Sequence, residues 1–124
     1  MNDSWTFVGF ALLTALIHIY IFMLESIFWI RPLGLKTFRM NAEQAATMSK
    51  MAFNQGFYNL FLALAILFGL KLGDRGQILV DYAILSICAA AVVLIISDRK
   101  MLRGAFIQGV PAFCYLILRF IVPS

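Results

Sequence analysis

The sequence predicts an all-α integral membrane protein: a four-helix bundle that crosses a bilayer four times, with both termini on the non-cytoplasmic side. Three observations lead there. Of 124 residues, 63% are apolar and only 13% charged, where a soluble domain carries roughly a quarter charged. So few charges cannot cover a water-facing surface, and the excess apolar area must face lipid. The apolar residues fall into four runs, each long enough at ~1.5 Å per helical residue to span a ~30 Å hydrocarbon layer. Finally, the basic residues gather in short clusters between those runs, the pattern that sets membrane orientation. The length allows one domain, residues 1–124.

The first helix is expected over about 5–30. Asp3 or Ser4 suits its N-cap, Trp5 and Trp29 suit the interfacial aromatic belts, and Arg31-Pro32-Leu33-Gly34 stops it. The run lacks a basic leader and far exceeds a signal core of ~7–15 residues, so it is expected to remain as a span. Residues 31–41 mix Arg31, Lys36 and Arg39 with Leu33, Leu35, Phe38 and Met40, as in a segment lying along the interface. Asn41 and Gln44 form a capping-box pattern that opens the second helix, about 42–72. Its first two turns are too polar for lipid, so the crossing part begins near Lys50. Gly73-Asp74-Arg75-Gly76 reads as a tight turn. The third helix is expected over about 77–97 and the fourth over about 102–122, bent or loosened near Pro111.

Orientation follows from the basic residues. Arg31, Lys36, Arg39, Lys50, Arg99, Lys100 and Arg103 lie on one side, seven against three (Lys71, Arg75 and Arg119) on the other. The richer side is assigned to the cytoplasm.

Polar side chains inside a span are costly and tend to face a partner. His18 and Glu25 are seven residues apart, hence on one helix face. The second helix contributes Asn54, Gln55, Tyr58 and Asn59, the third Asp81 and Ser86, the fourth Gln108, Tyr115 and Arg119. Counting along the helices, Glu25, Asn54 and Gln108 lie ~6–8 Å from the cytoplasmic ends, and Tyr58 and Asn59 ~12–14 Å. This predicts a polar pocket open to the cytoplasm, with Glu25, Asn54, Gln55, Tyr58, Asn59 and Gln108 as ligand-binding residues. Glu25, His18 and Tyr58 are the candidates for any catalysis. Asp81 and Arg119 share a depth near the other side and are expected to form a structural ion pair. The bland readings are that Glu25 snorkels or pairs with Lys50, and that the amides are interhelical glue.

Much chemistry is excluded by pattern. Net charge is +4 and the pI near 9.4, yet scattered basic clusters do not make a nucleic-acid footprint. One histidine and two deep cysteines, Cys88 and Cys114, lack metal-ligand spacing and suggest packing rather than a disulfide. No phosphate loop, dinucleotide fingerprint or nucleophile motif occurs; no cofactor is expected from the residues.

The strings His18-Ile19-Tyr20-Ile21-Phe22-Met23-Leu24-Glu25 and Ala52-Phe53-Asn54-Gln55-Gly56-Phe57-Tyr58-Asn59 resemble a family of short four-span bacterial membrane proteins known only as a domain of unknown function. That resemblance implies four spans and a bacterial plasma membrane and adds no activity. Lys50-Met51-Ala52-Phe53-Asn54 is more weakly similar to the membrane-associated proteins of eicosanoid and glutathione metabolism, which are four-helix trimers. That likeness would imply glutathione as a ligand, with Asn54 the one residue carried over; Lys50 stands where those proteins have arginine and Phe57 where they have glutamate.

Three functions therefore compete. The first is a pocket that binds, or acts on, a small amphiphile. The second is an oligomeric transporter using Glu25 as a proton or cation site. The third is a structural or regulatory membrane subunit. Expected partners are membrane lipid and further copies of the chain, since four short helices enclose little volume alone.

Overall fold

The computed structural model describes residues 2–122, with side chains from Thr6 onward. Within them the chain is all-helical. Helix α1 covers Asn2–Phe22 and continues as one π-helical turn, Met23–Ile27. A short helix α2, Pro32–Thr37, follows, then α3, Ala42–Lys71, α4, Gln77–Ser97, and α5, Leu102–Leu116. A second π turn, Ile117–Ile121, extends α5. Four of these stretches are long and apolar enough to cross a membrane: Thr6–Ile27, Ala42–Lys71, Gly73–Ser97 and Arg99–Ile121.

The four long helices pack in a ring, α1 beside α3, α3 beside α4, α4 beside α5 and α5 beside α1. One end of the bundle holds both termini and the α3–α4 link; the other, here the basic end, holds α2 and the α4–α5 link. The main core is built from small residues that let helix backbones approach (Ala11, Ala15, Ala63, Ala83, Ala112), filled out by Ile66, Ile84, Ile87 and Tyr115. Gly69 and Gly76 pack backbone to backbone, so that a Cβ at Gly76 would run into Gly69. The α3–α4 link is therefore a close three-ten turn, Gly73–Gly76, with Gly73 at φ +65°.

The boundaries differ from expectation in four places. α1 begins at Asn2, which puts Asp3 and Ser4 inside the helix rather than at its cap; the side chain of Trp5 lies outside the described ones. α1 also ends early, since Phe28–Arg31 turn away through Phe28 N–H to Met23 O (2.9 Å) and Arg31 N–H to Phe28 O (3.0 Å). Trp29 is not a belt residue. It is 9% exposed, and its indole N–H donates to Ala45 O at 2.9 Å. Lastly, α5 runs unbroken through Pro111, and the irregular turn comes six residues later at Ile117.

Local chemistry accounts for the basic end. Asn41 caps α3 with the full capping box: its side chain accepts from Gln44 N–H at 2.8 Å, and Gln44 accepts from Asn41 N–H at 3.0 Å. α2 starts with Pro32, whose missing N–H costs nothing in a first turn. It ends in a Schellman motif: Met40 N–H bonds Leu35 O (3.0 Å) and Arg39 N–H bonds Lys36 O (3.4 Å). Arg39 takes the left-handed conformation there, φ 54°. Leu35, Phe38 and Met40 then close over Trp29, Ala45 and Ala52, strapping the end of α1 to the start of α3.

Candidate functional site

Glu25 lies at the middle of the first π turn. A π turn inserts one residue into an α-helix and is common at functional positions. Here it aims the carboxylate at α3. Asn59 Nδ2 donates to Glu25 Oε1 at 2.6 Å, and Gln55 Nε2 donates to Oε2 at 3.3 Å. The next residue, Ser26, donates from Oγ to Phe53 O at 2.8 Å. Gly56 makes this approach possible, because a Cβ there would collide with Ser26 Oγ. Glu25 itself is 6% exposed.

Beside this contact runs a groove of about 360 Å³, lined by Glu25, Ser26, Trp29, Ile30, Lys50 and Phe53, among others. Glu25 and Lys50 share it without forming an ion pair; among the described residues the one ion pair is Arg119 with Asp81. The groove thus has an acid at its inner end, a cation at its rim and apolar walls.

The remaining polar residues do not join Glu25 in one pocket. Asn54 and Tyr58 lie on the outward face of α3, Tyr58 at 69% exposure. There they line a second groove of about 510 Å³ with Met51, Gln55, Phe57 and Phe61. Gln55 alone belongs to both places, lining the outer groove while donating to Glu25. His18 is buried at 1% exposure. Its Nδ1 sits 2.9 Å from Thr14 O, and since a carbonyl only accepts, that nitrogen carries the hydrogen. The Gln108 side chain stands beside the ring. Among the described residues no hydrogen bond links His18 or Gln108 to Glu25, so the expected tuning of Glu25 by His18 has no direct path.

At the opposite end a second polar group is closed on itself. Asp81 Oδ1 accepts from Tyr115 Oη at 2.6 Å and from Gln77 Nε2 at 3.0 Å, while Oδ2 accepts from Arg119 Nη2 at 3.2 Å. Gln77 also donates to Tyr115 Oη at 2.6 Å. Arg119 comes from the second π turn; its Nε is buried without a partner.

Sequence reasoning passed over Ser26, Trp29 as a groove wall, and Gln77. The adjacency of Ser26 to Glu25, with a glycine in the polar stretch of α3, was the available signal for the first. The site can bind a proton, a cation or a hydrogen-bonding head group. It offers no nucleophile–base pair, and no group of three or more metal-ligating side chains occurs among the described residues. Cys88 and Cys114 are both free thiols.

No curated protein and no solved structure matches the chain, so the likeness to eicosanoid and glutathione proteins finds no support there. One family model does match, over residues 12–120, and is described as "Protein of unknown function (DUF1304)". The match runs from the middle of α1 into the π turn after α5, and the chain accordingly belongs to this family.

Proposed function

We propose that the chain crosses a bacterial plasma membrane four times, termini outside and basic end in the cytoplasm, and that the Glu25 groove binds a small amphiphile. The observation that carries this is Glu25: a 6% exposed carboxylate held by two neutral amides. A buried charge without a counter-charge is costly. It fits a group that receives its partner from outside the chain. Ile30, Phe53 and Trp29 supply walls for an apolar tail, and Lys50 stands at the rim. The chemistry favours an amphiphile whose head carries an ammonium or other hydrogen-bond donors for Glu25.

Native mass spectrometry of wild type and Glu25→Gln, each purified in mild detergent, tests it. The expected result is an amine-bearing amphiphile retained by wild type and lost from the variant at unchanged stoichiometry. Equal retention, or none in either protein, overturns the reading.

The same unpaired carboxylate favours a second reading, transport with Glu25 as the proton or cation site. Its signature is proton release from reconstituted protein on adding a cationic amphiphile, absent in Glu25→Gln. Binding without proton release leaves the first reading.

A further inference from the structure

The outward face of α3 is unlike the other outward faces of the bundle. α4 shows Ile78, Tyr82, Leu85, Val93 and Ile96, between 56% and 79% exposed, with no carboxamide among them, a surface suited to acyl chains. α3 instead exposes Asn54 and Gln55, set among Met51 (72%), Tyr58 (69%) and Phe61 (57%). Among the described residues it is the only long helix with exposed carboxamides inside its apolar stretch. If Lys50 marks the hydrocarbon boundary, Asn54 lies ~6 Å and Tyr58 ~12 Å inside it. Acyl chains offer neither donors nor acceptors, so an amide at that depth needs a protein partner.

We infer that a second copy of this chain packs on the α3 face, with Asn54 and Tyr58 at the contact and Gln55 linking it to Glu25. The inference rests on the reading that α3 crosses the membrane. One feature selects a second copy. A carboxamide both donates and accepts, so a face centred on Asn54 is its own complement across a two-fold axis. A different partner would need matching groups of its own. Gln55 then joins the two places, since its amide lines the contact groove and donates to Glu25.

The test is cysteine cross-linking of the full chain in its native membranes. Cys88→Ala and Cys114→Ala provide a background without thiols. Asn54→Cys, Tyr58→Cys and Phe61→Cys are compared in it with Leu85→Cys on α4, each oxidised with copper phenanthroline. The expected result is conversion of the monomer to a band of twice its mass for the α3 variants and not for Leu85→Cys. Several positions guard against one variant failing to fold. Equal cross-linking on both faces, no cross-linking on α3, or an adduct of any other mass overturns the inference. The result is independent of ligand retention, so an empty Glu25 groove with an α3 cross-link would fault the proposed function alone.

Discussion

The two ends of the bundle each hold an acid among their helices, Glu25 buried and Asp81 part-buried, and treat it differently. Near the termini, Asp81 meets Arg119 at 3.2 Å and its other oxygen is taken by Tyr115 and Gln77. That cluster adjoins the tight core, with Tyr115 fully buried and stacked edge-on against Phe7 at 5.6 Å. At the basic end Glu25 has two amides, a groove on one side and a lysine that does not reach it. Charge is neutralised within the chain at one end and left open at the other. The first arrangement satisfies its charge within the chain. The second leaves a group that a partner from outside could meet, which is why the groove and not the ion pair is proposed as the binding site.

The largest expected effect comes from Asp81→Asn. Removing one partner of a part-buried pair strands Arg119, and a loss of about 2–3 kcal/mol is expected. The matching Glu25→Gln change should cost about 1 kcal/mol or less, because its oxygen still accepts from one partner amide and the other can flip to accept from its NH2. Unfolding in mixed micelles measures both; equal losses would erase the distinction between the ends. Next comes Gly56→Ala, which sets a methyl against Ser26 and should cost about 1–2 kcal/mol. Ser26→Gly in the same chain should recover part of that loss, and a purely additive double variant would mean the two residues do not meet. The smallest effect is a gain. Arg39→Gly relieves a left-handed residue and should stabilise by about 0.5–1 kcal/mol while leaving ligand retention at Glu25 unchanged. A loss of stability there would show that the arginine side chain matters more than its backbone strain.

Helix placement was legible because hydropathy and caps act locally. The Asn41–Gln44 box opens α3 where the pattern put it, and α4 runs Gln77–Ser97 as expected. Depth was legible too, since rise per residue is constant, and Asp81 and Arg119 meet at their common height. Azimuth was not. Counting along an axis grouped Asn54 with Asn59, yet five residues turn a helix by ~500°, leaving them ~140° apart. One therefore faces out while the other reaches Glu25. The π turn was equally hidden, because no residue type announces an inserted position. Trp29 misled for a third reason: an indole serves an interface or a buried carbonyl equally well, and only the returning strap of α2 decides. Among the helix glycines, Gly56, Gly69 and Gly109 approach neighbours closely, whereas a Cβ at Gly104 would meet only the end of Met101 at 3.4 Å.

The π turn at Met23–Ile27 makes the site a matter of residue count as well as residue type. Everything before it is in register with the Ala11–Ala15 core; everything after it is rotated by one extra position. Deleting Met23 or Leu24, the apolar residues of that turn before Glu25, would restore an ordinary helix and leave every side chain of the candidate site in the sequence. It would also swing Glu25 by ~100° relative to the preceding helix, away from Asn59 and Gln55. A length variant with intact chemistry would thus lose the site as completely as one lacking the glutamate.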